Sequence, residues 1–376
     1  MTVQTVQTVQ AVQTVQAVQA AQTVQTAQAA QTGWTAQDLQ DTSRWMQYFS
    51  AAELEAVDRA IAAAKQAGLK LGDLSQHNFP LQALRPAFDR VLSELENGPG
   101  FFVLRGLPAG KYSKDDMRLL YWGMGLHLGT AVSQSNRGDM LGDVRDFGVN
   151  TFAKKGRGYM SKQHLEFHAD TCDVVCLMVL RVAKSGGLSR FCSSVAIHDE
   201  IARTRPDLLA VLYQPFCMSW KGQEGPGEPA WYLQPLFSKE QGKQSSRFIP
   251  QHVIGYSVDA ALFPELPPLS PQQREAIELV QALANDPKFY GEMMFEPGDM
   301  QFMNNHVMYH SRTEFEDDDD ADKKRHLIRL WLSVPNSRAL NGSMNAIYRD
   351  RRPGAVRGGF PCHTGTRVFE TPVITD

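Results

Sequence analysis

The chain has 376 residues, with 38 Lys+Arg against 41 Asp+Glu and a net charge of -3, a balance that excludes a basic face broad enough for nucleic acid or anionic lipid. With 43% hydrophobic and 21% charged residues, it has the apolar material for a core, which excludes a wholly disordered protein. The five cysteines form no CxxC pair and no apolar run approaches the roughly 18 residues of a membrane span, so a reduced, cytoplasmic protein is expected.

From Gln4 to Gln31 every third residue is Gln, and the first charged residue is Asp38. A period of three matches neither helix nor strand and presents no single apolar face, so residues 1–33 read as a disordered, low-complexity tail. A single domain is expected over 34–376. Helices occupy 50–97 at its start: Ser50 and Glu53 have capping-box spacing before an Ala-rich segment that ends near Gly68, and a second helix runs from about Leu81 to Glu96. After Gly98-Pro-Gly100, Phe101 to Arg105 reads as a buried strand, and Ser113 with Asp116 opens a third helix toward Gly129.

Beyond residue 130, short apolar runs alternate with Gly, Pro and polar clusters. Val174 to Leu180, Phe191 to Val195, Met293 to Phe295, Met300 to Met303 and Leu327 to Val334 are strand candidates, with helices near Ala196 to Tyr213 and Gln272 to Ala284. The polar insert 221–250 is too long for an ordinary connection and reads as a lid or a disordered insert. The expected architecture is mainly β with flanking helices, the core running from about 98 to 335 and a C-terminal extension filling 336–376.

His164-Leu-Glu-Phe-His168-Ala-Asp170 stands immediately before an apolar run. A histidine and a carboxylate two residues apart point to one side of an extended chain, so one metal ion can take both. Glu296-Pro-Gly-Asp299 then leads into a segment with His306 and His310, read as one strand with both histidines on one face, and Arg325 and Arg329 follow in another strand. Two histidines and a carboxylate on strands, with a cation nearby, suit Fe(II). They leave three coordination positions for a bidentate 2-oxo acid and O2, and an arginine fork matches the distal carboxylate of that acid.

These segments, together with Ser185-Gly-Gly-Leu-Ser189 and His310-Ser-Arg312, resemble the taurine dioxygenase / clavaminate synthase-like group of Fe(II)- and 2-oxoglutarate-dependent oxygenases over roughly 98–335. The resemblance implies a double-stranded β-helix, or jelly roll, and implies that His168, Asp170 and His310 bind iron. It also places Arg325 and Ser189 on the far carboxylate of 2-oxoglutarate, with Arg329 reaching 2-oxoglutarate or an anionic substrate. The implied activity is hydroxylation, desaturation or oxidative cyclisation of a small organic substrate, with 2-oxoglutarate decarboxylated to succinate and CO2 and a setting in secondary metabolism. Asp170 argues against halogenation, whose enzymes have a small residue at that position.

The competing readings are a redox-silent metal-binding β-barrel and a metal-dependent isomerase or hydrolase, although the latter lacks a second general base. His164 with Glu166 and His198 with Glu200 are weaker metal pairs, and His306 reads as a core residue. The acidic stretch Glu314 to Asp322 reads as a solvated loop. Trp220, Trp231 and Tyr232 could border a substrate pocket, whereas Gln134, Asn150 and Cys172 receive no role. A homo-oligomer is compatible with all of this.

Overall fold

The computed structural model describes residues 33–148 and 160–370, so the Gln-rich tail and Asn150 lie outside the described residues. Helices α1 (Ala51–Gln66), α2 (Arg85–Asn97) and α3 (Lys114–Leu128) come first. The capping boxes at Ser50/Glu53 and Ser113/Asp116 are both formed, which satisfies amide groups that a helix start otherwise leaves unpaired. Later helices are α4 (Ser194–Thr204), α5 (Pro206–Leu212) and α6 (Pro271–Ala284).

The strands in chain order are β1 (Met46–Tyr48), β2 (Phe101–Arg105), β3 (Thr130–Ala131), β4 (Leu141–Val144), β5 (Leu165–His168), β6 (Val174–Arg181), β7 (Ser185–Gly186), β8 (Ser189–Ser193), β9 (Phe216–Ser219), β10 (Trp231–Gln234), β11 (Phe237–Glu240), β12 (Lys243–Ser246), β13 (Tyr290–Met293), β14 (Met300–Asn304), β15 (Met308–Arg312), β16 (Phe315–Glu316) and β17 (His326–Ser333). A seven-stranded sheet has the order β1-β2-β14-β6-β17-β3, with β4 also on β17, and a four-stranded sheet has the order β13-β8-β15-β5. This is the jelly-roll architecture with its sheets left open rather than closed into a barrel.

Period-2 alternation in the large sheet separates two apolar layers. Val174, Cys176 and Met178 of β6 and Ile328, Leu330 and Leu332 of β17 pack with residues of α1, α2 and α3. The alternate residues Val175, Val179, Leu327 and Trp331 join Phe167 of β5 and Phe191 of β8 in the layer between the sheets. The Phe101 and Phe191 rings, 4.4 Å apart, bridge the two sheets, and burying each ring contributes roughly 1.5–3 kcal/mol.

Several local readings change. The strand expected at Met293 to Phe295 is Tyr290–Met293, and Phe295 lies in the loop that follows. The helix expected over Ala196 to Tyr213 is broken at Arg205-Pro206, because proline has no N–H to continue α4 and starts α5 instead. The strand expected through Val195 ends at Ser193, whose side chain caps α4 by accepting from the Ala196 N–H. The insert 221–250 contains strands β10, β11 and β12, paired as β9–β10 and β11–β12, so a disordered insert is excluded. His306 and His310 do not share a strand: Asn305 to Val307 form the turn between β14 and β15.

Gly298, in the Pro-Gly turn that feeds β14, has φ +94°, and a Cβ there would lie 2.0 Å from the Leu107 carbonyl oxygen. Only glycine fits both constraints. Gly298→Ala should lower stability by about 2–4 kcal/mol, read as the midpoint shift in chemical denaturation.

Candidate active site

β15 is hydrogen-bonded on both sides, to β5 and to β8. Its register sets His310 directly opposite His168, and the two rings are 4.3 Å apart. Asp170 lies two residues beyond the end of β5, with its N–H donating to the Asn305 side-chain oxygen at 2.8 Å. His168 Nε2 is 3.9 Å from Asp170 Oδ1, and His310 Nε2 is 4.0 Å from Asp170 Oδ2. One potential donor atom from each residue lies within 4.8 Å of the others, and all three residues are buried. The competing pairs stay apart from this cluster: His164 lies 3.7 Å from Glu166 in an ion pair of its own, and His198 contacts Asp199 and the Tyr213 hydroxyl.

The tautomer of His168 follows from its surroundings. Its Nδ1 is 2.8 Å from the Glu166 carbonyl, which can only accept, so Nδ1 carries the proton and Nε2 offers its lone pair toward Asp170. Burial pushes the His168 pKa down, and burial followed by the charge of His168 pushes His310 down to about 3. Both rings are therefore neutral at pH 7, the state in which imidazole binds metal. For Asp170 burial works to raise the pKa, but Arg329, the two histidines and the Trp331 N–H together hold it below the usual range.

The Asp170 carboxylate is itself positioned. Arg329 Nη1 donates to both of its oxygens at 3.4 Å, and Trp331 Nε1 donates to Oδ2 at 3.0 Å. Arg329 Nε donates to Gln134 Oε1 at 2.8 Å, and Gln134 in turn donates to the Met140 and Arg329 carbonyls. Gln134 had no role in the sequence reading because its partner stands 195 residues away.

Beside the histidines a cavity is lined by Ser189, Phe295, Leu177, Leu327, Arg312 and Arg325. Arg325 is 4% exposed, and its Nη1 has no hydrogen-bond partner. Burial first, then the charge of Arg312, pushes its pKa down to about 9. Arg312 is held to the Ser161 and Gln163 carbonyls through Nη2, while its Nε and Nη1 are unpartnered. Both guanidiniums lie over the Phe315 ring, at 4.7 and 5.0 Å. Gly187, φ +72°, leaves room against which Arg325 lies, since a Cβ there would sit 3.4 Å from Arg325 Nε. Ser189 Oγ donates to Gln301 at 3.1 Å at the same cavity. Arg312 was legible only as part of a matching motif, because nothing in its spacing announced a second cation facing the cavity.

Behind the cluster, Asp173 ties together distant segments. Its Oδ1 is 2.7 Å from His306 Nε2 and accepts from Arg357 Nε at 2.8 Å, and its Oδ2 accepts from Ser333 at 3.2 Å. His306 is thus a buried core residue that pins the β14–β15 turn. Arg357 and the neighbouring Arg338–Glu96 pair make the C-terminal extension part of the core.

An open jelly roll that holds two histidines and a carboxylate beside a cationic cavity defines the class of non-haem iron oxygenases. Residues 65–331 match the family described as "Taurine catabolism dioxygenase TauD, TfdA family", and the chain belongs to that family. It is 30% identical over 328 residues to FR-33289 synthase of Streptomyces rubellomurinus, covering 86% of this chain and 94% of the relative. It is 29% identical over 291 residues to a taurine hydroxylase-like protein of Stachybotrys chartarum, covering 75% and 73% of the two chains. Among solved structures, asparagine oxygenase in complex with Fe(II), 2S,3S-3-hydroxyasparagine and succinate aligns with TM-score 0.59 at 18% identity, over 77% of this chain and 94% of that one. The non-heme iron oxygenase OrfP with Fe and alpha-ketoglutaric acid aligns with TM-score 0.56 at 17% identity, over 76% and 93%. The protein is accordingly an Fe(II)- and 2-oxoglutarate-dependent oxygenase that uses O2. No helix among the described residues is long and apolar enough to cross a membrane.

Removing Asp173 strands two buried basic groups, so Asp173→Ala should cost about 3–5 kcal/mol and lower the thermal midpoint. Asp173→Asn, which keeps the hydrogen-bond geometry, should lose less.

Proposed function

We propose that His168, Asp170 and His310 hold Fe(II), and that Arg325, with Arg312 and Ser189, takes the distal carboxylate of 2-oxoglutarate. The enzyme then oxidises a C–H bond of a small organic substrate of secondary metabolism. In the hydroxylation form, substrate, O2 and 2-oxoglutarate give hydroxylated substrate, succinate and CO2. The observation that carries the reading is one shared cavity: the histidine pair lines it, and two buried guanidiniums with unpartnered N–H groups face it.

The donor set suits the metal. Two neutral imidazoles and one carboxylate would supply three donors to the iron, leaving room for ligands that come and go. When bound, the iron supplies the coupling of O2 activation to oxidative decarboxylation. The protein's own residues do the rest. Arg329 and Trp331 fix the Asp170 carboxylate and keep it ionised, and the Glu166 carbonyl fixes the His168 tautomer. Arg325 meets a carboxylate with a fork already desolvated, so its hydrogen bonds form against little competition from water. Leu177, Leu327 and Phe295 keep water from the aliphatic part of the cosubstrate.

A small molecule rather than a macromolecule suits a cluster whose three residues are 5–9% exposed. Natural-product chemistry is supported by the likeness to FR-33289 synthase. A cytoplasmic setting suits five cysteines that are all free.

Fe(II) and 2-oxoglutarate added without oxygen should produce a weak visible charge-transfer band, which His168→Ala and His310→Ala abolish. Fe(II) binding with no band in the unmodified protein would sink the oxygenase reading in favour of a redox-silent metal protein. Arg325→Met should keep Fe(II) binding but weaken 2-oxoglutarate by about 30–150-fold, the equivalent of roughly 2–3 kcal/mol of charge-assisted hydrogen bonding. Unchanged affinity in a titration of that band would remove Arg325 from its role. Trp331→Phe should weaken Fe(II) by about 10–100-fold with the fold retained, as measured by competition with a chelator.

A further inference from the structure

Seven arginines are buried among the described residues: Arg118, Arg247, Arg312, Arg325, Arg329, Arg338 and Arg357. Four have a carboxylate partner, in Asp143, Asp170, Glu96 and Asp173. Two of the remaining three, Arg312 and Arg325, face the cavity assigned above to an incoming carboxylate. The seventh, Arg247, is 1% exposed and lies away from that cavity.

Arg247 Nη2 donates to Thr171 Oγ1 and to the Tyr232 hydroxyl, each at 3.1 Å. Nε and Nη1, which carry three of the five guanidinium N–H donors, have no hydrogen-bond partner. No carboxylate pairs with Arg247 among the described residues. A guanidinium sealed from water without a counter-charge is costly, and the protein keeps it hydrogen-bonded to Thr171, the residue that follows Asp170. Its position is tied to the candidate site. The Ala169 N–H donates to the Phe248 carbonyl at 2.7 Å, so residues 247 and 248 run alongside the turn between His168 and Asp170, and Thr171 directly follows Asp170. The buried Trp220 ring packs against Tyr232 in a tilted pair, with ring centroids 4.2 Å apart.

We propose that Arg247, with the Tyr232 hydroxyl, binds an oxyanion of the substrate, a carboxylate or a phosphate-like group, and thereby holds the molecule beside Asp170. The inference rests on the iron and 2-oxoglutarate reading and extends it to the substrate's charge. Three donors in one plane match two oxygens of such a group, and the Tyr232 hydroxyl supplies a further donor. Since Arg247 is sealed, the β9–β10 hairpin that carries Tyr232 must move aside to admit the ligand. This gives the insert 221–250 a covering role although it is ordered.

The test uses the full chain carrying Arg312→Met and Arg325→Met, which together remove both guanidiniums from the other cationic cavity, with inorganic phosphate and acetate as probes, glycerol as the neutral control and chloride holding ionic strength constant. A saturable rise in the thermal midpoint with either oxyanion but not glycerol is expected. Adding Arg247→Met should abolish it, Arg247→Lys should weaken it at least tenfold, and Tyr232→Phe should weaken it with the fold unchanged. Without probe, Arg247→Met should match or exceed the stability of its parent, because it removes an unpaired buried charge. The proposal is overturned if neither oxyanion shifts the midpoint, if Arg247→Lys and Tyr232→Phe bind the probe as the parent does, or if Arg247→Met unfolds or is less stable without probe. The charge-transfer band of the Arg247 variants on the native background provides the separate control. Absent from the unmodified protein, it overturns the iron reading; present in the Arg247 variants while oxyanion binding is lost, it supports the assignment of Arg247 to the substrate alone.

Discussion

The functional core depends on one antiparallel pairing, β5 against β15, which sets His168 across from His310. Strand pairing is the most rigid way to bring together two residues 142 positions apart, because the ladder fixes the Cα positions and the pleat fixes the side-chain direction. A shift of one residue would turn His310 away and bring Tyr309 or Ser311 into its place. That register is held by β8 on the other side of β15 and by the Asp173 network at the turn beneath. The chemistry at the top of the sheets therefore leans on a buried ion-pair network that touches neither metal nor substrate.

Charge distribution follows the same logic. Most buried arginines are neutralised from within: Arg118 by Asp143, Arg338 by Glu96, Arg357 by Asp173, and Arg329 by Asp170. Those pairs maintain the fold. In the functional reading proposed above, the cations left without a carboxylate are where anions bind, and the unfavourable desolvation stored in them would be recovered when an anion arrives. A lysine at these positions would not hold the same promise, since its ammonium neutralises more readily on burial and lacks the planar fork.

The sequence made the helices, the strands flanking the site and the clustered His168 and Asp170 legible, because capping boxes, alternating apolar runs and a His-x-Asp pair are local signals. Arg325 was readable through its place in a known motif. Arg312 stood in a matching motif without a role of its own, and Gln134 and Arg247 were not readable, since each matters through a partner or cavity assembled from remote segments. The same limit explains the misread strand at Met293 to Phe295 and the single strand assumed for His306 and His310: an apolar run does not say which of its residues a neighbour will pair.

What the sequence alone determined is the chemistry available: two histidines, a carboxylate and arginines, carried on short β-forming segments between glycine and proline turns. What only the tertiary structure decided is which of these groups meet and which stay apart. His310 rather than His306 faces Asp170, Arg329 rests on that carboxylate, and Arg247, bonded to the adjacent Thr171, is left without a carboxylate partner. The physical reason is that side-chain type and periodicity are written locally, whereas burial, counter-charge and strand register arise from contacts between residues far apart in the chain.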